Sequence, residues 1–158
     1  MKNMVVLIDT NVALDFLTMR QPYYNDARKV IMICANERVK GFIAFHSLPN
    51  IFYILRKSHS EEVRREMLRK LCLVLQVTGA SHDKVCNAIE RMEFSDFEDC
   101  LQDECAKEVS ADFIITRNLN DFQNSKIKAV TPQKFLEMID TFGSDRKEQG
   151  DSSYGSTI

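Results

Sequence analysis

Five short apolar runs recur along the chain, and amphipathic segments separate them. The runs occupy residues 4–8, 41–45, 75–78, 112–116 and 127–130. The first, second and fourth runs are apolar almost throughout, which is typical of parallel strands that are buried on both faces. Each run therefore predicts one strand of a sheet.

Helices are predicted between these runs. The apolar content and spacing predict helices over residues 11–19, 24–36, 60–75, 81–92 and 131–141. A shorter apolar segment, residues 50–57, follows Ser47, which is a predicted N-cap. Strands that alternate with helices predict an α/β fold of three layers, α/β/α, in which a central parallel sheet of four or five strands lies between helices.

The domain boundary is predicted near the C-terminus. Residues 1–142 carry the predicted elements, and a chain of 158 residues with an apolar share of 44% is long enough for one domain with one substantial core. Residues 143–158 turn to glycine, serine and charged residues. That composition predicts a flexible C-terminal tail.

Polar residues directly follow two of the predicted strands. Asp9 comes after the first strand, and Asn118 and Asp121 come after the fourth. Open α/β sheets place their binding sites at the carboxyl ends of their strands. We therefore expect these side chains to meet at one edge of the sheet.

A helix with an acidic start is predicted just before the fourth strand. Ser95 and Glu98 have the spacing of a capping box, so the helix is predicted to begin at Ser95. Asp96, Asp99 and Asp103 follow at helical spacing and are predicted to share one face. A divalent cation that lies between these carboxylates would offset their mutual repulsion. An acidic first turn that serves only solvation and the helix dipole is the open alternative.

The candidate ligands are all oxygen atoms, which indicates Mg²⁺ or Mn²⁺. The residues predicted within reach of one pocket are Asp9, Asp96, Asp99, Asn118 and Asp121. A zinc site is not predicted, because the five cysteines form no Cys-x-x-Cys pair and the three histidines lack ligand spacing. We expect the cysteines to be reduced core residues of a cytoplasmic protein, and no apolar run is long enough for a membrane span.

Three motifs give the chain a resemblance to a known family. Leu-Ile-Asp-Thr-Asn at 7–11, Asp-Phe-Glu-Asp at 96–99 and Ile-Thr-Arg-Asn-Leu-Asn-Asp-Phe at 115–122 resemble the three signatures of PIN-domain ribonucleases. This group includes the VapC-type toxins. The resemblance implies a site of four carboxylates that binds Mg²⁺ or Mn²⁺ and hydrolyses RNA.

The resemblance carries over position by position. Asp9 matches the first family carboxylate and Asp99 the third, whereas Asn50 stands where the family usually has a glutamate. Asn118 stands where many members have an aspartate, and Asp121 is the nearest replacement. The predicted metal ligands are therefore Asp9, Asp96, Asp99 and Asp121, and those predicted to act in catalysis are Asp9, Asp99 and Asp121.

Six further residues are predicted to orient the ligands or to contact the substrate. They are Thr10, Asn11, Asn50, Thr116, Arg117 and Asn118. Two interpretations of Arg117 stay open, because a guanidinium can bind phosphate bidentately or pair with a neighbouring carboxylate. The predicted reaction is metal-assisted hydrolysis of a phosphodiester.

Two functions are consistent with these residues. The first is a metal-dependent ribonuclease, and the family resemblance then implies the toxin of a toxin–antitoxin pair, with an antitoxin protein and a second copy of the chain as partners. The alternative is a PIN-like RNA- or protein-binding module with an incomplete site, which Asn50 and Asn118 support. Dinucleotide binding is not indicated, because the chain has no Gly-x-Gly-x-x-Gly motif.

The charge balance limits how RNA can be bound. The net charge is −2 and the sequence pI is about 5.9, so any contact with RNA must come from a local basic patch. Residues 56–70 carry the largest local surplus, with six basic and three acidic side chains. A solvated helix face with i,i+4 ion pairs is the alternative interpretation of that segment.

Overall fold

The central sheet contains five parallel strands. The computed structural model of the chain describes residues 3–148, with side chains described to residue 143. The strands are β1 (Val5–Ile8), β2 (Lys40–Ile43), β3 (Gln76–Val77), β4 (Phe113–Ile115) and β5 (Ala129–Val130). Their spatial order is β3-β2-β1-β4-β5, and every neighbouring pair is parallel. The predicted three-layer α/β/α fold is confirmed.

Seven helices surround the sheet in the described part of the chain. They are α1 (Thr10–Leu17), α2 (Tyr24–Ala35), α3 (Ser47–Ile54), α4 (Glu61–Val74), α5 (His82–Glu90), α6 (Phe97–Glu108) and α7 (Pro132–Glu148). Two short 3-10 helices span Leu55–Lys57 and Leu119–Phe122. None of the helices within residues 3–148 is both long enough and apolar enough to cross a membrane.

The alternating side chains of β1 divide the core into two layers. Val6 and Ile8 pack into a buried cluster that contains side chains of α1, α2, α4 and α7. Val5 and Leu7 point to the opposite face and pack with Cys105 of α6. Because β1 is buried on both faces and lies third in a sheet of five strands, its carboxyl end is fixed near the centre of the molecule.

The last helix is longer than predicted. α7 continues to Glu148, so residues 143–148 extend the helix beyond the predicted domain boundary at residue 142. The rest of the predicted tail, residues 149–158, lies outside the described residues.

Two of the predicted helix caps are wrong. Asp96, not Ser95, is the N-cap of α6, and its side chain accepts a hydrogen bond of 3.1 Å from the Asp99 backbone N–H. Ser47 is the first residue of α3 instead of its cap, and its Oγ accepts a hydrogen bond from Thr10 Oγ1 at 2.7 Å. The shift at α6 leaves the Glu98 side chain available for other contacts.

The five cysteines are all free, but only three lie in the core. Cys34, Cys100 and Cys105 are buried, whereas Cys72 and Cys86 are exposed. The prediction that the cysteines are core residues is therefore wrong for Cys72 and Cys86.

Candidate active site

Asp9 lies at the centre of the carboxyl edge of the sheet. It directly follows β1 and is the N-cap of α1, and only 5% of its surface is exposed. Its carboxylate accepts hydrogen bonds from the Thr10 backbone N–H at 2.7 Å, from Gln102 Nε2 at 2.5 Å and from Thr116 Oγ1 at 2.7 Å. Hydrogen-bond donors from α1, from α6 and from the residue after β4 thus fix the side chain of Asp9.

These contacts leave Asp9 with one free acceptor position. Among the described residues, Oδ1 accepts the hydrogen bonds from Thr10 and Gln102, whereas Oδ2 accepts only the one from Thr116. A carboxylate oxygen offers two lone pairs. The second lone pair of Oδ2 is therefore available for a further ligand.

Burial raises the pKa of Asp9. The hydrogen bonds from Thr116, Gln102 and Thr10 oppose this effect, and the nearby charge of Asp121 adds to it. Desolvation disfavours the charged form of the carboxylate, so a cation beside Asp9 would stabilise that charged form.

Asp99 lies in the first turn of α6 and is partly buried. Burial is the main cause that raises its pKa to about 7, and the charges of four other carboxylates raise it further. In order of effect these are Asp96, Asp9, Asp121 and Glu98. The predicted metal ligands Asp9, Asp96, Asp99 and Asp121 therefore interact electrostatically around Asp99.

Glu98 is a member of this group that the sequence did not predict. Its Oε1 accepts a hydrogen bond from Asn50 Nδ2 at 2.5 Å. Burial raises the pKa of Glu98, the hydrogen bond from Asn50 lowers it, and the charges of Asp96 and Asp9 raise it further. The sequence assigns Glu98 to a capping box with Ser95, and that assignment does not predict its contact with Asn50.

Gln102 is a second residue that the sequence did not predict. It is 1% exposed and bonds Asp9 through Nε2, while its Oε1 is buried without a hydrogen-bond partner among the described residues. The available signal was its position three residues after Asp99, which places both on neighbouring parts of one helix face. The sequence does not reveal the contact of this uncharged amide with Asp9, because the contact depends on the tertiary fold.

Thr10 and Asn11 make contacts that join elements. The Thr10 hydroxyl donates to Ser47 Oγ at 2.7 Å, which links α1 to α3. Asn11 Oδ1 accepts a long hydrogen bond of 3.5 Å from the Arg117 backbone N–H. Both residues thus lie next to Asp9 and hold the segments around it.

Thr116 connects Asp9 to the loop after β4. Its hydroxyl donates to Asp9 Oδ2 and accepts a hydrogen bond from the Asn118 backbone N–H at 3.0 Å. Asn118 and Asp121 are exposed. They flank the open side of the site, where a substrate could reach them.

Arg117 pairs with a buried carboxylate. Its Nε lies 2.6 Å from Asp15 Oδ2 and its Nη2 lies 3.3 Å from Asp15 Oδ1, and Asp15 is only 1% exposed. The guanidinium also stacks on the Tyr23 ring, 4.0 Å from its centroid. Of the two interpretations of Arg117, the structure shows the pair with a carboxylate.

Asp103 does not join the candidate site. It is fully buried and bonds Arg91 Nη1 at 2.6 Å, and it also accepts a hydrogen bond from Ser125. Arg91 Nη1 contacts Glu104 as well, at 2.9 Å. Asp103 lies one turn of α6 after Asp99, but its carboxylate pairs with Arg91 and does not project with those of Asp96 and Asp99 as predicted.

A cleft of about 340 Å³ opens beside Asn118. Its walls include Tyr23, Arg117 and Gln133. This volume lies at the lower end of the roughly 300–1,000 Å³ that small-molecule pockets span. The cleft therefore offers aromatic and amide side chains beside the loop that follows β4.

The chemistry of the donor set fits Mg²⁺ or Mn²⁺. Within residues 3–148, no three His, Cys, Asp or Glu side chains converge closely enough to enclose an ion. Mg²⁺ usually takes only one or two carboxylates and completes its shell with water and substrate phosphate. Asp9 and Asp99 meet that requirement, because they are oxygen donors whose charges interact in a partly buried place.

The basic helix α4 forms a solvated face with internal ion pairs. Arg65 pairs with Glu61 at 2.9 Å, and Arg69 pairs with Glu66. Arg64 packs its guanidinium on the Phe52 ring, 4.1 Å from the centroid. These contacts favour the alternative interpretation of residues 56–70 over a phosphate-binding surface.

The chain belongs to the PIN-domain family. The sequence profile of the PIN domain matches residues 5–120, which extend from β1 to the 3-10 helix after β4. A search of curated proteins finds no significant match.

Solved structures of toxin–antitoxin systems share the fold. The chain is similar to VapBC2 from Rickettsia felis, solved with a promoter DNA fragment (TM-score 0.62, 19% identity, 81% of this chain and 98% of that chain), and to a toxin–antitoxin complex from Klebsiella pneumoniae (0.61, 22%, 80% and 97%). It is also similar to Mycobacterium tuberculosis VapC20, described as a sarcin-ricin loop cleaving toxin (0.55, 12%, 69% and 86%).

Proposed function

We propose that this protein is a divalent-metal-dependent ribonuclease that acts at the carboxyl edge of its sheet. The observation that supports this proposal is the cluster of carboxylates around Asp99. Burial and the charges of four carboxylates, Asp9 and Asp121 among them, raise the pKa of Asp99 to about 7. Groups with perturbed pKa values cluster at functional sites. Membership of the PIN-domain family agrees with this chemistry.

Each carboxylate has a role in the proposed reaction. Asp9 and Asp99 hold the cation, while Asp96 and Asp121 complete or orient its shell. A bound Mg²⁺ or Mn²⁺ would lower the pKa of a coordinated water and would stabilise negative charge on a phosphate. Asp9 contributes the free lone pair of Oδ2.

Neighbouring residues keep Asp9 in position. Thr116 and Gln102 donate hydrogen bonds to its two oxygens, so the carboxylate cannot rotate without losing them. Such partners of a metal ligand typically change metal affinity or activity by about 10- to 100-fold when they are removed. In this proposal, Asn118 and the cleft beside it contact the RNA next to the cleaved phosphate.

The proposed biological role is that of a toxin in a cytoplasmic toxin–antitoxin pair. Support comes from the similar structures, which include toxin–antitoxin complexes and a toxin described as cleaving the sarcin-ricin loop. The proposed partners are an RNA substrate, an antitoxin protein and a second copy of this chain.

A second candidate function is a binding module that uses the same fold. Asn50 and Asn118 replace carboxylates that the family resemblance implies, and no three potential ligands converge within residues 3–148. A site of this kind would bind RNA or protein without hydrolysis.

Titration of Mn²⁺ separates the two functions. Mn²⁺ is titrated calorimetrically into the wild type, Asp9→Asn and the control Glu137→Gln, which removes an exposed carboxylate of α7, and RNA cleavage is assayed on the same samples. The ribonuclease predicts binding and cleavage in the wild type and the control, and neither in Asp9→Asn. If the folded wild type shows no binding and no cleavage, the proposed ribonuclease is wrong and the binding module is favoured.

A further inference from the structure

The cleft beside Asn118 is lined by opposite charges that do not pair with each other. Asp26 of α2 and Arg117 both line it, and no ion pair joins the two within the described residues. The cleft has a volume of about 340 Å³, which falls within the range of small-molecule pockets. A ligand that enters it can therefore meet hydrogen-bond donors from one side chain and acceptors from the other.

Arg117 is held in a way that leaves part of its guanidinium free. Nε and Nη2 bond the buried Asp15, and the guanidinium lies over the Tyr23 ring, 4.0 Å from the centroid. A guanidinium has five N–H donors, and no hydrogen bond of Nη1 is found within the described residues. Since the side chain is 22% exposed, these contacts fix the guanidinium and leave donors for a ligand.

Asp26 supplies acceptors to the same cleft. It lies in the first turn of α2 and is partly buried, and no partner of its carboxylate is found within the described residues. The carboxylate disfavours a phosphate in the cleft, because the two negative charges would repel each other. Tyr23, which is 41% exposed, adds an aromatic ring on which a base can stack.

Guanine is the nucleobase whose edges match both charged groups. Its N7 and O6 are neighbouring acceptors, and an arginine commonly donates two hydrogen bonds to them. Its N1–H and 2-amino group are neighbouring donors, and a carboxylate can accept from both. Adenine, cytosine and uracil each lack at least one of these pairs. Unpaired bases of single-stranded RNA leave these edges open to side chains.

We propose that the cleft beside Asn118 binds an unpaired guanine of the RNA, with Arg117 donating to N7 and O6 and Asp26 accepting from N1–H and the 2-amino group. The cleft is joined to the candidate active site through Thr116, which accepts from the Asn118 backbone N–H and donates to Asp9. This inference rests on the proposed function for its RNA substrate, and it adds a base preference to that substrate.

RNA pentamers that differ only in the central base test this subsite. Fluorescently labelled UUGUU, UUAUU, UUCUU and UUUUU are titrated with the protein in EDTA, and anisotropy reports binding without metal-dependent cleavage. The salt concentration is kept constant, because phosphate contacts depend strongly on salt. Two analogues of UUGUU remove single groups: central inosine lacks the 2-amino group that Asp26 would bind, and central 7-deazaguanine lacks the N7 acceptor that Arg117 would bind.

Asp26→Asn removes one side of the proposed contact, and Asp83→Asn is its matched control. Both aspartates lie in the first turn of a helix, but Asp83 is exposed on α5 and does not line the cleft. We expect the wild type and Asp83→Asn to bind UUGUU about tenfold or more tighter than the other three pentamers, which is within the discrimination of one bidentate base contact. Asp26→Asn should lose most of this preference and should melt at the same temperature as Asp83→Asn.

The two analogues assign each edge of the base. Inosine should weaken binding to the wild type and make little further difference in Asp26→Asn, because the partner of the 2-amino group is already absent there. 7-Deazaguanine should weaken binding to both proteins, because Arg117 is unchanged in each. Equal binding of guanine and 7-deazaguanine would overturn the role of Arg117.

The outcomes separate this inference from the proposed function. Absent or equal binding of the four pentamers, or a preference for another base, would overturn the guanine subsite, and RNA cleavage in Mn²⁺ by the same protein would leave the ribonuclease intact. A guanine preference that Asp26→Asn retains would also overturn it. A guanine preference that Asp26→Asn loses, without RNA cleavage in Mn²⁺, would support the subsite and overturn the ribonuclease in favour of the binding module.

Discussion

Thr116 Oγ1 lies 2.7 Å from Asp9 Oδ2, and the two residues follow adjacent strands. Thr116 is fully buried and Asp9 is 5% exposed, so no bulk water competes for this contact. The same hydroxyl accepts a hydrogen bond from the Asn118 backbone N–H. A single side chain thus couples the central carboxylate to the loop that carries Asn118 and Asp121.

Replacing Thr116 by valine tests this coupling. Thr116→Val keeps the shape but removes the donor, so Asp9 Oδ2 loses its only hydrogen bond from the described protein. We expect the free energy of unfolding to fall by about 1.5–3 kcal/mol, the range for hydrogen bonds to charged groups, and Mn²⁺ binding to weaken. Urea denaturation and calorimetry measure the two effects. Thr116→Ser retains the hydroxyl, and a loss of Mn²⁺ binding as large as that in Thr116→Val would contradict the assignment.

The backbone of Gly41 approaches its neighbours closely. A Cβ atom at this position would lie 2.6 Å from Leu75 Cδ2 and 2.7 Å from Cys34 Sγ, and both neighbours are buried. We expect Gly41→Ala to lower the free energy of unfolding by about 1–3 kcal/mol, the usual cost of overpacking a core. Gly79→Ala is the matched control, because nothing lies within 4 Å of the added carbon. Equal urea midpoints for the two variants would show that the clash at Gly41 relaxes freely.

The sequence predicted the fold and the position of Asp9 at the edge of the sheet for a simple physical reason. Buried parallel strands need apolar side chains on both faces, so the run that ends at Ile8 and the run that ends at Ile115 stand out. The first residue after such a run lies at the carboxyl edge whatever the loops do. Asp9 was therefore predictable from pattern alone.

The contacts around Asp9 were less predictable, because they depend on single-residue shifts and on tertiary partners. The N-cap of α6 is Asp96 and not the predicted Ser95. Counted from the start of the helix, every later residue therefore lies one position, or about 100°, from where it was predicted. With Asp96 as the N-cap, Glu98 bonds Asn50 and does not serve in a capping box. The burial of Asp103 depends on Arg91, which lies 12 residues away, and spacing along α6 does not reveal such a partner.

The ion pair between Asp15 and Arg117 predicts a large effect on stability. Asp15 is 1% exposed, so Arg117→Met leaves a buried carboxylate without its partner. We expect the free energy of unfolding to fall by about 3 kcal/mol or more, as is typical when one member of a buried pair is removed. Urea denaturation of the variant measures this loss.

Two further variants define the cause of that loss. Asp15→Leu/Arg117→Met removes both charges and should recover most of the lost stability, since an apolar replacement of a buried pair is often neutral. Arg69→Met breaks the exposed pair with Glu66 and should cost less than about 1 kcal/mol. If Arg117→Met costs no more than Arg69→Met, the pair with Asp15 contributes little to folding.

The raised pKa of Asp99 predicts how stability depends on pH. The pKa is raised from an ordinary value of 3.8 to about 7, mainly because the side chain is partly buried and also because carboxylates such as Asp96 and Asp9 repel its charge. Between these two values the folded state retains a proton that the unfolded state has lost. The stability that Asp99 contributes is therefore fully present below about pH 4 and is lost as the pH rises through about 7.

Asp99→Asn removes this titration. In EDTA, we expect the variant to gain stability relative to the wild type as the pH rises from about 4 to about 7, with no further gain above that range. Urea denaturation of both proteins at several pH values measures the difference. A difference that does not change with pH would show that the folded state does not raise the pKa of Asp99.

Addition of Mn²⁺ at pH 8 should stabilise the wild type more than Asp99→Asn. A ligand at a hundred times its dissociation constant stabilises the folded state by about 2.7 kcal/mol, and this gain requires the carboxylate that Asp99→Asn lacks. The stability advantage that Asp99→Asn has in EDTA should therefore shrink when Mn²⁺ replaces EDTA. In this interpretation, the negative charge of Asp99 destabilises the metal-free site and also binds the cation. If Asp99→Asn gains stability in EDTA and still binds Mn²⁺ as tightly as the wild type, Asp99 is not a ligand of the metal.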